Sequence, residues 1–261
     1  MDTDATKAMS RMQEQRYEIK YLIDERTATR VRAYVRQHLE LDPFGADQPG
    51  LSYPVHSLYL DSAGLATYWN TINGDKNRFK LRLRYYDDQP GSPVFFEIKR
   101  RVNNVIIKER GGIRKQFVPT LLAGQLAERH HMLSPSSDTD LVATQHFQEL
   151  MLRLDARPAM HVRYLREAYE KEGDNSVRVT MDRSVLTAPN HVASLKIRSL
   201  APCDVFGPTV VLELKFTDRF PNWFNDLIQT FDCVWTGAAK YAGGIELKGT
   251  RWARLPMPDW I

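Results

Sequence analysis

The sequence Phe-Lys-Leu-Arg-Leu-Arg-Tyr-Tyr at residues 79–86 constrains the fold more than any other stretch of the chain. Successive side chains of a β-strand point to opposite faces, so Lys80, Arg82 and Arg84 share one face and apolar side chains occupy the other. Three like charges on one strand face repel each other, and water, carboxylates or a bound polyanion must offset them. A single antiparallel strand with a solvated outer face is the simplest interpretation. The rest of the chain argues against it, because other segments repeat the pattern.

The same ionic face recurs on further predicted strands. Alternating segments lie at residues 16–24, 53–61, 94–101, 105–110, 159–170, 176–185 and 209–217. Their charged faces carry Glu18 with Lys20, Glu97 with Lys99, Lys108 with Arg110, Arg166, Arg178 with Asp182, and Glu213 with Lys215. A wet sheet face normally mixes in Ser, Thr, Gln and Asn, whereas Arg and Lys dominate here.

Closure of such a sheet would bring the ionic faces together inside and leave the apolar faces outside, under helices. Small barrels ordinarily fill their interior with apolar side chains, so this core is inverted. Many unpaired cations in one lumen would be very costly. A polyphosphate chain, with a divalent metal held by carboxylates, would neutralise them. The pattern predicts an α+β fold: a closed antiparallel β-barrel with a polar, basic lumen and helices packed outside.

The predicted helices span residues 25–39, 65–72, 121–131, 144–154 and 221–231. Residues 103–104, Asn-Asn, predict a hairpin turn. Residues 111–112, Gly-Gly, are expected to break or bulge the preceding strand. Residues 134–140 predict a loop, and the segment around Lys240 has no firm assignment. Residues 1–14 are expected to be a flexible leader, and residues 15–261 a single domain, because no shift in composition marks a boundary.

The overall charge is a weak guide to partners. The net charge is +4 and the sequence pI is about 9.0, which does not by itself indicate nucleic acid. Few aromatic residues accompany the basic ones, unlike in single-strand binders, so no nucleic-acid partner is expected. Neither of the two cysteines lies in a paired motif, and no apolar run approaches the ~20 residues of a membrane span. We therefore expect a chain without a membrane span, in the reducing cytoplasm.

Phosphate chemistry fits the charged residues. Arg binds phosphate oxygens bidentately and Lys supplies point charges, while Glu213, with Glu18 as a second candidate, suits Mg²⁺ or Mn²⁺. No glycine-rich phosphate loop of the Walker type occurs, so side chains would do the binding. Alternatively, Arg166 and Arg178 are exposed residues paired with neighbours such as Glu167 or Asp182, and Glu213 is a cross-strand salt-bridge partner.

Seven stretches together resemble the VTC domain, a branch of the triphosphate tunnel metalloenzymes with a CYTH-like fold. They run in family order over nearly the whole chain, and their combination is more specific than any one of them. The stretches are Arg-Tyr-Glu-Ile-Lys-Tyr-Leu-Ile at 16–23, Tyr-Pro-Val-His-Ser-Leu-Tyr-Leu-Asp-Ser at 53–62, Asn-Arg-Phe-Lys-Leu-Arg-Leu-Arg-Tyr-Tyr at 77–86, Phe-Glu-Ile-Lys at 96–99, Val-Arg-Val-Thr-Met-Asp at 177–182, Val-Leu-Glu-Leu-Lys at 211–215 and Ala-Lys-Tyr at 239–241.

The resemblance implies a tunnel barrel of about eight strands and a metal-dependent reaction on triphosphate or polyphosphate. In VTC polymerases the terminal phosphoryl group of a nucleoside triphosphate, here expected to be ATP, extends inorganic polyphosphate threaded through the tunnel. The family's catalytic basic positions correspond to Lys20, Arg82, Arg84, Lys99, Lys108, Arg166 and Lys240. Further phosphate-binding wall residues would be Lys80, Arg110, Arg178 and Lys215. The Mn²⁺ or Mg²⁺ ligand would be Glu213, joined by Glu18 and Glu97.

One departure from the superfamily pattern bears on the reaction. The hydrolase branch carries Glu-x-Glu-x-Lys on its first strand, and this chain has Arg16 in place of the first Glu. Losing a carboxylate and gaining a cation weakens a metal site there, which favours a polymerase over a triphosphatase or polyphosphatase. A non-catalytic module that binds polyphosphate or nucleotide is the third hypothesis.

Overall fold

The computed structural model describes residues 16–171, 173–196 and 202–250. The predicted leader, residues 1–14, lies outside the described residues. No helix in the described ranges is long and apolar enough to cross a membrane.

Strands hold more of the described residues than helices do. They are β1 (Arg16–Ile23), β2 (Glu40–Leu41), β3 (Tyr53–Asp61), β4 (Asn77–Tyr85), β5 (Pro93–Val102), β6 (Val105–Arg114), β7 (Arg157–Lys171), β8 (Asp174–Pro189), β9 (Cys203–Asp204) and β10 (Val210–Thr217). The α-helices are α1 (Glu25–Val35), α2 (Pro43–Ala46), α3 (Ala66–Ile72), α4 (Val118–Leu122), α5 (Asp138–Arg153), α6 (Asn222–Thr230) and α7 (Lys240–Lys248).

The described strands form one antiparallel sheet in the order β2-β7-β3-β4-β5-β6-β1-β10-β8-β9, and β7 also pairs with β8. Most neighbours share long ladders. The contact between β6 and β1 rests on a single register pair, Arg16 with Ile106, so no continuous ladder seals the sheet at that point. The α+β class and the antiparallel sheet are confirmed, and closure into a barrel stays a prediction.

The strand registers put the ionic residues on one face, as the alternation predicts. Arg82 lies opposite Glu97 on β5, and Glu97 lies opposite Arg110 on β6. Farther along the same face, Lys20 of β1 lies opposite Glu213 of β10. We call this ionic side the polar face.

Helices cover the opposite, apolar face. Leu81 and Phe96 are fully buried there, and Phe147 of α5 packs its ring 4.9 Å from that of Phe96. A second cluster joins Val31 of α1 to Leu212 of β10 beneath α6. The core therefore lies between the sheet and its helices.

The expected break at residues 111–112 is wrong, because β6 continues to Arg114. A Cβ atom on Gly111 would lie 2.1 Å from Thr144 Oγ1 and 2.4 Å from the Asp140 carbonyl oxygen. The Gly112 amide donates to Asp140 Oδ2 at 3.1 Å. These glycines let α5 approach the strand closely.

The helix predicted at residues 121–131 is also wrong. Helix α4 ends at Leu122, and Gly124 adopts a positive φ of 103°. The Gln148 side chain then accepts from the Ala127 amide at 2.8 Å and donates to the Gln125 carbonyl at 2.6 Å. These bonds hold the segment in an irregular conformation that local propensity does not indicate.

Two further helices differ from the expectation. Helix α5 begins at Asp138, six residues earlier than predicted, because the Ser137 side chain accepts from the Asp140 amide and caps its N-terminus. Residues 240–248 form α7 despite Gly243 and Gly244. A Cβ atom on Gly244 would lie 2.8 Å from Thr187 Cγ2, so the glycine permits close packing of α7 on β8.

Candidate functional site

The predicted site residues gather on the polar face. All of them lie on strands except Lys240, the first residue of α7. The members are Glu18 and Lys20 on β1, Lys80, Arg82 and Arg84 on β4, Glu97 and Lys99 on β5, Lys108 and Arg110 on β6, Arg166 on β7, Arg178 on β8, and Glu213 and Lys215 on β10.

Glu213 is the most heavily engaged carboxylate of the site. Its Oε1 atom lies 2.9 Å from both Lys20 Nζ and Lys240 Nζ. Its Oε2 atom lies 2.7 Å from Lys215 Nζ and 3.5 Å from Arg166 Nη2. Burial alone would raise the pKa of Glu213, but Lys20, Lys215 and Lys240 hold it well below its usual range. The cross-strand salt bridge expected as an alternative role for Glu213 is therefore present, with Lys20.

Asp182 belongs to the same cluster, although the sequence did not assign it to the site. The Arg166 guanidinium donates to both of its oxygens at 2.7 and 2.8 Å, and Lys240 Nζ lies 2.7 Å from Oδ2. Strand alternation is the signal that could have assigned Asp182 to the site, because it lies two residues after Thr180 on the polar side of β8. Burial would raise the pKa of Asp182, and the charges of Arg166 and Lys240 lower it below its ordinary value.

The alternative of exposed pairs for Arg166 and Arg178 is wrong about the exposure of Arg166 but right about one partner, because Arg166 is paired with Asp182. Arg166 is buried, and Glu167 lies on the apolar face, where Arg32 and Arg183 hold it at 2.7 and 2.8 Å. Arg178 is only part-exposed.

Arg178 lies at one end of the polar face, away from Asp182. Its guanidinium contacts Asp42 and lies 2.7 Å from Glu170 Oε2. Its charge is therefore neutralised locally.

Glu97 of β5 is contacted by cations from both neighbouring strands, β4 and β6. Its fully buried carboxylate lies 2.8 Å from Arg82 Nε and 3.1 Å from Lys108 Nζ, and more distantly 3.8 Å from Arg110. Burial raises the pKa of Glu97, but Arg82, Lys108 and Arg84 outweigh that effect and keep it ionised.

Lys99 of β5 forms an ion pair with Glu18 of β1 and so connects these two strands. Its Nζ atom donates to Glu18 Oε2 at 2.8 Å, while Glu18 Oε1 lies 2.8 Å from Lys20 Nζ. One set of ion pairs therefore runs from β5 through β1 to Glu213.

Two cations of this site have no carboxylate within salt-bridge distance among the described residues. Arg84 is only 7% exposed, donates to the Tyr164 hydroxyl at 3.4 Å, and leaves its buried Nε atom without a hydrogen-bond partner. Burial and the charges of Lys99 and Lys20 lower the pKa of Lys80 to about 7. Unpaired buried charges are costly, and the buried Arg84 and the half-buried Lys80 thus leave positive charge on the polar face without a carboxylate partner among the described residues.

The carboxylates differ in how well they suit a divalent cation. Mg²⁺ usually takes one or two carboxylates and completes its shell with water and substrate phosphates. Glu213 and Glu18 fit that donor set, because Lys20 Nζ contacts both of them and one cation can therefore reach the two carboxylates together. Glu97 fits less well, because among the described residues neither Arg82 nor Lys108, which contact its two oxygens, contacts a second carboxylate. No group of three His, Cys, Asp or Glu side chains in metal-binding proximity occurs among the described residues.

The family model of the VTC domain matches residues 15–248 of this chain. The match spans every element from β1 to α7, and so includes every residue of the site.

Two curated relatives come from Schizosaccharomyces pombe. Vacuolar transporter chaperone complex subunit 4 is 21% identical over 245 residues, which cover 81% of this chain and 34% of that protein. Vacuolar transporter chaperone complex subunit 2 is 25% identical over 169 residues, covering 58% of this chain and 23% of that protein. The chain thus spans about a third or less of the length of these relatives.

Two solved structures are distant neighbours at 13% identity. A putative adenylate cyclase from Bacillus halodurans gives a TM-score of 0.48, covering 86% of this chain and 94% of that one. A protein from Pyrococcus horikoshii gives a TM-score of 0.43, covering 89% of this chain and 98% of that one.

Proposed function

The chain belongs to the VTC domain family, and from that premise we propose that it is a polyphosphate polymerase. It transfers the terminal phosphoryl group of a nucleoside triphosphate, ATP in our proposal, to a growing inorganic polyphosphate chain. The observation that carries the proposal is the surplus of cations on the polar face, above all the buried Arg84 and the carboxylate-free Lys80. We also propose that the protein is located in the cytoplasm.

We further propose that the sheet closes into a tunnel. The long ladders on either side of β7 support it, because β7 pairs with both β3 and β8. At the weak contact between β6 and β1, a later segment lies along the edge of β1. Trp235 forms a bridge with Tyr21, and the Thr236 amide donates to the Lys20 carbonyl at 3.1 Å.

In this proposal, the charge and the position of each side chain determine its role in phosphoryl transfer. Phosphoryl transfer depends mainly on holding the phosphates in line and neutralising charge that develops on their oxygens. Arg84 and Arg82 provide guanidinium forks, and Asp182 orients Arg166 by a two-bond contact. Lys240 enters from the first residue of α7 and adds a point charge beside Glu213.

The metal of this proposal is Mn²⁺ or Mg²⁺, held by Glu213 and Glu18. When bound, it would neutralise phosphate oxygens and support the leaving diphosphate. The protein's own part is to keep both carboxylates ionised, which Lys20 and its neighbours do by lowering their pKa values.

A second candidate function is polyphosphate binding without turnover. It is favoured by one observation: Glu18 and Glu213 are both already neutralised by lysines. Such a protein would bind polyphosphate equally well with and without chelator.

Product analysis separates these functions and the triphosphatase alternative. The protein is incubated with ATP and Mn²⁺, and nucleoside diphosphate, orthophosphate and acid-insoluble phosphate are measured together. A polymerase gives diphosphate and polymer with little orthophosphate. Orthophosphate as the main product would establish a hydrolase, and binding without any product would leave the binding module.

A further inference from the structure

Lys240 reaches the polar face in a different way from the other predicted site residues. Those residues lie on strands, where the cross-strand ladders fix their positions, whereas Lys240 begins α7 after the largely irregular residues 231–239. The local sequence does not fix where this helix starts. Ala239 at its N-cap makes no side-chain capping bond, and Gly243 and Gly244 lower its helix propensity. Contacts with the rest of the fold must therefore set the position of Lys240.

Tyr241, the next residue of α7, makes such contacts with β3. Its hydroxyl donates to Asp61 Oδ2 at 2.7 Å, and its ring stacks on that of Tyr59 with the centroids 4.8 Å apart. The Tyr59 hydroxyl in turn accepts from Arg82 Nη1 at 3.3 Å. Tyr241 is thereby tied to the last residue of β3 and, through Tyr59, to a cation of the site.

Asp61 is a firmly held partner for the Tyr241 hydroxyl. Its carboxylate is buried, makes no ion pair with the described residues, and accepts five hydrogen bonds. The four besides Tyr241 come from the amides of Ser62, Thr67 and Tyr68 and from the Thr67 hydroxyl, at 2.8–3.1 Å. Thr67 and Tyr68 lie in the first turn of α3, so this helix holds the carboxylate in place.

Lys240 and Tyr241 together fix the rotation of α7 about its axis. Neighbouring helical residues project about 100° apart around that axis. Lys240 Nζ lies 2.7 Å from Asp182 of β8 and 2.9 Å from Glu213 of β10, whereas Tyr241 is bonded to Asp61 of β3. Two anchors on different strands oppose a turn of the helix, so the ammonium stays beside Glu213.

We propose that Asp61 and Tyr241 are positioning residues, and that Asp61 acts through the Tyr241 hydroxyl to hold Lys240 in the site. This inference rests on the proposed function, in which Lys240 supplies a point charge to the phosphates. A group that neutralises charge in a transition state is effective only where that charge develops. The rate therefore depends on the Tyr241 hydroxyl, although that hydroxyl is buried against Asp61.

The test is a double-mutant cycle in the full chain. Tyr241→Phe keeps the buried ring and its stacking, removes only the hydroxyl, and leaves Asp61 its four other donors. Lys240→Gln removes the ammonium, while the two carboxylates that it contacts keep their other cations. Both single variants and the double variant are assayed for polymer synthesis from ATP and Mn²⁺.

Tyr169→Phe is the matched control. The Tyr169 hydroxyl donates to Glu167 Oε1 at 2.6 Å on the apolar face, so this substitution also removes a buried hydrogen bond from tyrosine to carboxylate. Glu167 keeps its contacts with Arg32 and Arg183. Circular dichroism fixes an assay temperature at which all the variants are folded. A difference in rate between the two tyrosine variants then reflects position rather than stability.

We expect Tyr241→Phe to lower kcat by roughly 10- to 100-fold, the scale on which small misplacements act. In the Lys240→Gln background it should cause no further loss, because the effects of residues that act as a unit are not additive. Tyr169→Phe should leave kcat unchanged in both backgrounds. Affinity for inorganic polyphosphate, measured by calorimetry, should follow the same pattern with smaller losses.

An unchanged kcat in Tyr241→Phe, or an equal fold loss with and without Lys240, would overturn the inference and leave the proposed function intact. Wild-type protein that binds polyphosphate without making polymer would overturn the proposed function alone. The cycle read on polyphosphate affinity then decides the inference: a loss confined to the background with Lys240 supports it, and any other pattern overturns it. Wild-type protein that neither binds nor makes polyphosphate would overturn both.

Discussion

Lys240 places its Nζ atom 2.7 Å from Oδ2 of Asp182, although the lysine begins helix α7 and the aspartate lies in strand β8. The same ammonium lies 2.9 Å from Glu213. A helix terminus is thereby fixed to the polar face by two buried carboxylates. Cations in the centre of the polar face are therefore held in place by carboxylates of the protein itself.

Removing Asp182 tests this arrangement. Asp182→Asn leaves the buried Arg166 and Lys240 with one carboxylate fewer, and breaking a buried pair typically costs about 3–5 kcal/mol. We expect urea denaturation to show a loss of that order in the free energy of unfolding. Polyphosphate should restore part of the loss, because it replaces the missing negative charge. Unchanged stability would contradict this role for Asp182.

Arg82 and Arg84 form a matched pair on one strand face. Arg82 is paired with the buried Glu97, whereas Arg84 has no carboxylate partner in the described chain. We expect Arg82→Gln to lower the melting temperature, and Arg84→Gln to leave it unchanged or raise it while abolishing polymer synthesis. Equal destabilisation by both substitutions would show that Arg84 is structural.

The pKa of Lys80 predicts a pH dependence. Burial and the surrounding Lys99, Lys20, Arg78 and Arg82 lower that pKa to about 7, far below the ~10.4 of an unfolded lysine. Between these values the unfolded chain binds more protons, so the stability of the ligand-free protein rises with pH from about 7 to 10.

Polyphosphate favours the charged form of Lys80, so its affinity should fall as the pH rises through about 7. Titrating polyphosphate binding against pH in wild-type protein and in Lys80→Gln measures this contribution. The variant should show a shallower pH dependence. Identical curves would exclude Lys80 as the group responsible.

Substitutions of Glu213 and Glu97 distinguish a carboxylate that binds metal from one that only balances charge. Both are buried carboxylates on the polar face, but only Glu213 shares Lys20 with a second carboxylate. Glu213→Gln should raise the Mn²⁺ concentration needed for half-maximal activity and weaken Mn²⁺ binding measured by calorimetry. Glu97→Gln should lower stability without moving the Mn²⁺ dependence, and a shift of equal size in both variants would argue against a metal site at Glu213.

Gly111 tests the packing of α5 on the sheet. A methyl group there would meet Thr144 Oγ1 at 2.1 Å and the Asp140 carbonyl oxygen at 2.4 Å. Gly111→Ala should therefore cost at least about 1–3 kcal/mol of unfolding free energy, as overpacking does. Gly91→Ala, where nothing lies within 4 Å, is the control. Thr144→Ala should not rescue the variant fully, because the backbone contact with Asp140 remains.

Sequence patterns found the strands and the polar face because alternation is local and is repeated on strand after strand. They offered Asp182 only as a partner of an exposed arginine and did not indicate its buried contact with Arg166, since that contact depends on the register between β7 and β8. They also misplaced the helix at residues 121–131, where the distant side chain of Gln148 decides the backbone conformation. Local sequence patterns do not predict a contact or a backbone conformation that depends on a residue far along the chain.

The role of Lys240 shows the same limit. Only the family resemblance assigns Lys240 to the site, because one lysine before a Gly-Gly pair gives no periodic signal. The structure supplies its partners, Asp182 and Glu213, from two different strands. These two contacts place Lys240 among the charged residues of the polar face.

The most direct test of the central claim follows the γ-phosphate of ATP. The protein is incubated with ATP labelled at that phosphate, together with Mn²⁺, and the products are separated on a gel that resolves polyphosphate by length. We predict that label enters a ladder of long polymer in wild-type protein and that Arg84→Gln, which keeps its fold, makes none. Label found only in orthophosphate, or remaining in ATP while polyphosphate still binds, would contradict the assignment as a polymerase.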